Sequence, residues 1–573
     1  MLTPMATERD MARGMKKGLT SYGDAEFSLF LRKAFIKAMG FSDDALARPI
    51  IGITDTASDF NPCHGNVPAL IAAVKRGVML EGGLPMAFPT ISIHESFAHP
   101  TSMFLRNLMA LDTEEMLRAQ PMDAAVLIGG CDKTIPAQLM AAASVDLPAL
   151  VLPVGPMLVG HHRGQVLGAC TDCRRLWGEF RAGRMDAAEI EAVNSRLAPT
   201  FGTCMVMGTA STIACMTEAL GMALPGSATI PATHADRLRA AEEAGRAAVR
   251  LARNGPRPSA VMTKAAFQNA FTVLQAIGGS TNALIHFTAI AGRLGIAVDL
   301  DAFDRIGREV PVLIDLKPSG QHYMEHFHWA GGVPALLREL APFLDLDAKT
   351  VTGDPLRRWL DAAEDVPGQE VIRPRANPIS VGGGLAVLRG NLAPRGALIK
   401  RSAATPSLLS HEGRAVVFSS TADMEARLDD PALAVAPEDV LVLQNAGPIG
   451  APGMPEAGYI PIPRKLARAG VKDMLRLSDA RMSGTAFGTI VLHITPEAAI
   501  GGPLGVVRTG DRVRLDAEAR RLDLLVDDAE LAHRQAAWTP PSPAPARGYA
   551  WLYHHHVLQA DEGCDFDFCR KSE

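Results

Sequence analysis

The hexapeptide Gly129-Gly130-Cys131-Asp132-Lys133-Thr134 constrains this chain more than any other stretch. The apolar run AAVLIG (124–129) enters it and reads as a buried strand. A helix opening near Pro136 and continuing through QLMAAAS (138–144) leaves it. Strand, glycine turn and helix in that order place side chains at the carboxyl edge of a parallel sheet, where open α/β folds hold ligands. The turn presents a thiol, a carboxylate and an amine on consecutive residues. Thiolates suit iron–sulfur clusters and carboxylates suit magnesium or manganese, so one turn could serve two inorganic centres. Taken alone, it is read more simply as a βα connection with a buried, inert cysteine.

The same rhythm runs on either side. AEFSLFLRKAFIKAMG (25–40) predicts an opening amphipathic helix closed by Gly40. PIIGITDTASDFNPCHGN (49–66) predicts a strand and a loop carrying Asp55, Cys63 and His64, followed by a helix over 67–83. MAFPTISIHES (86–96) predicts a strand ending in His94, Glu95 and Ser96, a helix follows over 103–120, and ALVLPVG (149–155) adds a further strand. This βαβα order predicts a parallel sheet with helices on both faces. In FGTCMVMGTASTIACMTEALGM (201–222), Cys204 again sits in a Gly/Thr turn ahead of a long helix. Cys63, Cys131 and Cys204 thus all precede a helix start, a position that favours the thiolate.

Other stretches keep two readings. CTDC (170–173) lies in a polar run, 161–200, without a strand-before-helix setting, and is read as incidental rather than as a redox or metal pair. The middle third, 231–345, is helical and is broken at Gly278-Gly279-Ser280-Thr281-Asn282. That break suits a carboxylate or phosphate, and equally a loop between two core helices. Residues 362–384, rich in Pro, Gly and charge, mark a boundary that divides the chain into 1–375 and 376–573. Beyond it, short β-like runs between Gly and Pro turns predict a β-rich domain. Two loops there, 444–458 with Glu456 and 477–488 with Ser483, read as too rich in small residues for core. His554-His555-His556 reads as a solvated or hydrogen-bonding cluster.

Composition excludes several classes. Lys+Arg 57 against Asp+Glu 62, with no basic block, gives nucleic-acid binding no electrostatic support. Residues 1–20 lack an apolar leader core, and no span reaches the ~20 apolar residues of a membrane helix, so a cytoplasmic protein with no membrane partner is expected. Eight scattered cysteines in 573 residues do not form a secreted disulfide scaffold. A nicotinamide site would want G-x-G-x-x-G after a strand, and GGG (382–384) is a poor substitute.

With NPCHGN, GGCDKT, GTCMVMGTAST, GGSTNA, GAPGMPEAG and DARMSGTAFG in this order, the chain resembles the dihydroxy-acid dehydratase / 6-phosphogluconate dehydratase family from about residue 20 to the end. DARMSGTAFG and HVLQADEGCDFDF (556–568) make it look most like the sugar-acid branch of arabonate and xylonate dehydratases. The resemblance implies an N-terminal parallel-sheet α/β/α domain with a helical insert and a β-rich, swivelling β-barrel-like C-terminal domain. It implies that Cys63, Cys131 and Cys204 ligate an iron–sulfur cluster, [2Fe–2S] in preference to [4Fe–4S]. It implies that Glu95, Asp132 and Glu456 bind Mg²⁺ or Mn²⁺, that Lys133 matches a lysine which in some members is carbamylated and then also ligates the metal, and that Ser483 is the base. His94, Ser280, Thr281, Asn282 and Thr485 are the expected substrate contacts, and a homodimer or homotetramer the expected assembly. No role is assigned to Cys170, Cys173, Cys215, Cys564 or Cys569.

The chemistry is consistent with that assignment. Three thiolates leave one iron position of a [2Fe–2S] cluster open, and an open-site iron is a Lewis acid able to draw off a C3 hydroxyl. A carboxylate-held Mg²⁺ would chelate the substrate carboxylate and C2 oxygen and acidify the C2 proton, which a Ser483 alkoxide would remove. The product is a 2-keto-3-deoxy acid. A branched-chain dehydratase acting on 2,3-dihydroxyisovalerate would want an apolar pocket, whereas His94, Ser96, His99 and Thr101 favour a sugar acid. An iron–sulfur sensor would have no use for a base at Ser483.

Overall fold

The computed structural model describes residues 13–19, 22–361, 363–541 and 544–571. Most of the leader region read above, residues 1–12 and 20, lies outside them. The fold is mixed α/β. Strands β1 (Ile50–Asp55), β2 (Leu84–Pro89), β3 (Ala124–Gly129) and β4 (Ala149–Pro153) form a parallel sheet in the order β2-β1-β3-β4. Ile51 pairs with Pro85 on one side and Ala124 on the other, and Ala125 pairs with Ala149. Every residue of β3 and β4 is buried, so both faces must be covered. Helices α1 (Val67–Leu80), α2 (Ser102–Ala119) and α3 (Thr134–Val145) connect the strands.

Strand β2 stops at Pro89, seven residues short of the extended run predicted to Ser96. The Asp112 carboxylate accepts the Ile91 N–H at 2.8 Å, which takes the chain off the sheet and leaves His94 and Glu95 on a loop. The helical middle follows, with α4 (Thr171–Arg181), α5 (Thr209–Ala219), α6 (Ala235–Asn254), α7 (Lys264–Ala276) and α8 (Asn282–Arg293) among its elements. The predicted break between α7 and α8 falls at residues 277–281.

The C-terminal part is a closed barrel of eight strands: β5 (Leu385–Gly390), β6 (Ala393–Lys400), β7 (Ser410–Phe418), β8 (Val440–Leu443), β9 (Arg476–Ser478), β10 (Ile490–Thr495), β11 (Arg512–Asp516) and β12 (Arg521–Leu524). The β-like runs of the sequence fall in seven of them. The eighth, β9, lies partly within the stretch read as a loop from residue 477. The triple histidine closes a helix, Gly548–His556, where His556 Nδ1 lies 3.0 Å from Asp567. No helix of the described residues is long and apolar enough to cross a membrane.

Candidate functional site

The site grows from the carboxyl ends of β1 and β3. After β1 the chain makes a single 3₁₀ turn, Pro62–His64, ahead of α1; after β3 it makes the GGCDKT turn ahead of α3. His64 ties the two together. Its Nε2 accepts the N–H groups of Gly130 at 3.0 Å and Cys131 at 3.1 Å, and its Nδ1 lies 2.8 Å from the Thr56 carbonyl. These partners require a neutral ring protonated on Nδ1, and burial, which lowers the His64 pKa to about 4, keeps it neutral. A Cβ on Gly130 would fall 2.0 Å from Val154 Cγ2, so only glycine lets the turn pack this closely.

This turn brings the sulfurs of Cys63 and Cys131 and a ring nitrogen of His94 within 4.8 Å of one another. His94, expected at the substrate, therefore stands with the thiols. The expectation that a helix start lowers the thiol pKa does not hold at Cys63. Contact with the Cys131 thiol, then burial, raises it well above the ordinary value. A buried thiol beside another thiol has no cation to stabilise its charge, and coordination to a metal is what would release the proton.

Cys204 stands five residues ahead of α5, outside that group but near enough for its charge to act on Cys63. Its sulfur lies 3.0 Å from that of Cys170. The setting read for CTDC is corrected here. A short hairpin, Gly160–His162 with Gln165–Leu167, precedes α4, so Cys170 also occupies a strand–turn–helix position. A three-residue strand in a polar run leaves too little periodicity to detect.

The second cluster is acidic. Carboxylate oxygens of Glu95, Asp132 and Glu456 lie within 4.8 Å of one another. Arg481, buried, forks between them, donating from Nη2 to Glu95 and from Nη1 to Glu456, each at 2.7 Å. Lys133, fully buried, donates to Glu95 at 2.6 Å and lies 3.4 Å from Asp132. Ser102, at the start of α2, also donates to Glu95. Burial alone would raise the Glu95 pKa, but Arg481 and Lys133 overcome it and hold the carboxyl well below its usual range. At Glu456 burial, then the Glu95 charge, prevails and its carboxyl is raised. With Arg174 also 3.9 Å from Glu456, three carboxylates face three cations.

A hydroxyl seam adjoins this cluster. Asn282 Nδ2 donates to the Met482 carbonyl at 3.1 Å and to Thr209 Oγ1 at 3.2 Å, and Thr209 Oγ1 lies 2.9 Å from Ser280 Oγ. Ser483 Oγ lies 2.8 Å from Thr485 Oγ1, and no histidine or carboxylate among the described residues hydrogen-bonds to it. The loop carrying it is too rich in small residues to look like core in the sequence, yet residues 477–486 are buried throughout. The small residues are what bury it, since a Cβ on Gly484 would fall 2.6 Å from both the Thr209 nitrogen and Ser280 Cβ. Thr281 Oγ1 and Asn282 Oδ1 are buried without a partner among the described residues, as expected of groups awaiting a polar ligand.

The structure thus gathers Cys63, Cys131 and His94 in one group, Glu95, Asp132, Lys133 and Glu456 in a second, and Ser280, Asn282, Ser483 and Thr485 along one seam. Arg481 has no role in the sequence reading, and His64 appears there only as a member of its loop, without the tie to the GGCDKT turn. Arg481 did leave a signal, as the one basic side chain of LSDARMSGTAFG (477–488).

Comparisons with known proteins agree in extent. The N-terminal profile of the dihydroxy-acid/6-phosphogluconate dehydratases matches residues 48–359, and the C-terminal profile matches residues 370–564. An L-arabinonate dehydratase of Rhizobium leguminosarum is 47% identical over 96% of this chain and 95% of its own length. A 6-deoxy-6-sulfo-D-gluconate dehydratase of Pseudomonas putida is 45% identical over 93% of this chain and 92% of its own. A dihydroxy-acid dehydratase of Acetivibrio thermocellus is 38% identical over 93% and 96%.

Proposed function

The chain belongs to the dihydroxy-acid/6-phosphogluconate dehydratase family and is a hydro-lyase, and from that premise we propose that it dehydrates a sugar acid to a 2-keto-3-deoxy acid. The observation that carries this reading is the meeting of Glu95, Asp132 and Glu456 beside the paired thiols of Cys63 and Cys131. Relatives named for sugar acids stand at 45–47% identity and one named for dihydroxy acids at 38%, which supports the substrate class.

Both donor sets fit the groups the family implies. The buried thiols of Cys63 and Cys131 and the half-buried thiol of Cys204 suit an iron–sulfur cluster, [2Fe–2S] in preference to [4Fe–4S]. Converging carboxylates suit Mg²⁺ or Mn²⁺ held by Glu95, Asp132 and Glu456. When bound, these groups supply a Lewis acid for the departing C3 hydroxyl and a cation for the substrate carboxylate and C2 oxygen. Lys133 matters to the charge balance. With Arg174 and Arg481 counted, carbamylation would turn its ammonium into an anionic ligand and leave two net negative charges where the amine leaves none, a better match to a divalent cation. Arg481 keeps Glu95 and Glu456 facing the same point.

The remaining steps rest on side chains of the hydroxyl seam. Ser483 takes the C2 proton, with Thr485 fixing the position of its oxygen. Thr281 and Asn282 offer their unpartnered atoms to substrate hydroxyls, and Ser280 orders the seam through Thr209. A homodimer or homotetramer in the cytoplasm, a chain divided near residue 375 and a barrel able to swivel belong to the same reading. Exposed Phe27, Phe30 and Phe35 on the Ala25–Lys37 helix support self-association.

The test is a panel. Anaerobically purified protein, assayed for 2-keto acid formation from C3 to C6 aldonic acids and 2,3-dihydroxyisovalerate, should turn over one or more aldonic acids. Turnover of dihydroxyisovalerate alone would overturn the reading.

A further inference from the structure

The four cysteine sulfurs nearest the site fall into two pairs. Cys63 and Cys131 lie within 4.8 Å of each other, and Cys170 and Cys204 lie 3.0 Å apart, with the Cys204 loop held to the Cys63 turn by the Gly202 N–H donating to the Pro62 carbonyl at 3.3 Å. A fully ligated [2Fe–2S] cluster takes four thiolates, two on each iron. Two sulfurs on one tetrahedral metal with bonds of about 2.3 Å, as on zinc, sit roughly 3.7 Å apart, so the Cys170–Cys204 pair needs to open only slightly to share an ion.

Cys170 is built into this place from several sides. It sits at the start of α4 with φ of 73°, a conformation that costs a non-glycine residue energy and has to be held by its surroundings. Its N–H donates to the Cys173 sulfur at 2.9 Å, while its own sulfur is the one that meets Cys204. The next residue, Thr171, donates to the carbonyl of Thr485 at 3.0 Å and so pins the helix start to the loop that carries Ser483. Arg174, one turn on, reaches to 3.9 Å from Glu456 and lies over the Tyr459 ring. The start of α4 therefore covers both the thiol cluster and the acidic cluster.

We propose that Cys170 is a fourth thiolate ligand of the iron–sulfur cluster, completing the Cys204 side in the substrate-free protein and leaving when substrate enters. The inference rests on the cluster reading given above. The exchange is a ligand substitution. The Cys170 sulfur departs with its bonding pair and takes one proton from solvent, a substrate hydroxyl takes the vacated position, and no electron is transferred. Cys173 is a positioning residue that holds the Cys170 amide. The two cysteines of CTDC thereby acquire different roles.

The experiment is Mössbauer spectroscopy on ⁵⁷Fe-loaded protein, reconstituted anaerobically and measured without substrate. Wild type should show one doublet, from two ferric sites that are both all-sulfur, and L-arabonate should split it into two. Cys170→Ala should keep its iron and sulfide, show two doublets before any substrate is added, and lose its cluster faster in air. Two doublets in substrate-free wild type, or a Cys170→Ala spectrum identical to wild type, would overturn the inference while leaving the cluster reading intact. The wild-type spectrum decides the matter even if the variant does not fold. Protein that takes up no iron and sulfide at all would bring down the cluster reading itself, and the inference with it.

Discussion

Arg481, on the loop after β9, donates to Glu95 at 2.7 Å across 386 residues of chain, from the barrel part to the sheet part. The same guanidinium holds Glu456 at 2.7 Å. Two carboxylates that share one buried cation depend on it for their ionised forms. Arg481→Met should therefore destabilise the metal-free protein by roughly 3 kcal/mol, the scale for a buried charge that loses its partner. Saturating Mg²⁺ should restore part of that loss. Denaturant unfolding with and without Mg²⁺ measures both effects, and an unchanged midpoint would show that Arg481 does not hold the pair.

Removal of the divalent ion should separate the two centres. EDTA should abolish turnover and leave the cluster absorbance in place, because Glu95, Asp132 and Glu456 form a group of their own apart from Cys63 and Cys131. Glu456→Gln should weaken Mg²⁺ binding in titration calorimetry in the same direction. Loss of iron together with the divalent ion would argue for a single shared centre.

Cys131→Ser should cost the cluster. The residue is buried, its turn is fixed by His64, and its sulfur adjoins that of Cys63. Iron and sulfide analysis of anaerobically purified protein should find neither at stoichiometric levels. Full retention of both would remove Cys131 from the ligand set.

For Ser483→Ala the expected outcome is a folded protein that keeps iron and Mg²⁺ but turns over at least ~10²-fold more slowly, the span of a positioned general base. Exchange of the substrate C2 proton with solvent should disappear too. A serine that only ordered its turn would be worth ~1 kcal/mol of stability and leave kcat near normal.

Lys400 supplies a pH-dependent test. Its ammonium is buried beneath the Ser483 loop, donating to the Gly484 carbonyl at 3.2 Å, and burial lowers its pKa from 10.5 to about 7. The unfolded chain therefore binds the proton more tightly than the folded one. The resulting penalty is full below pH 7 and fades as pH rises toward 10.5. At about 1.4 kcal/mol per unit, it amounts to several kcal/mol. Lys400→Met should stabilise the protein at pH 6–7 and lose that advantage near pH 10, as read by denaturant unfolding across the range. An advantage independent of pH would mean that the lysine is not buried as a cation.

What the sequence determined by itself was local. AAVLIG, GGCDKT and QLMAAAS read as strand, turn and helix because strand and helix periods are written into neighbouring residues, and the structure puts β3 and α3 there. The three cysteines before helix starts were legible for the same reason, as was the run of barrel strands after residue 384. Tertiary structure alone decided which of these pieces meet. Nothing near Glu95 in the chain announces Arg481, nothing near Cys204 announces Cys170, and the small residues of 477–488, too small by sequence to look like core, are what lets that loop bury against Thr209 and Ser280. Hydrogen-bonding periodicity acts between residues a few positions apart, whereas an ion pair or a sulfur–sulfur contact forms only where packing of the whole chain has brought distant loops to the same sheet edge.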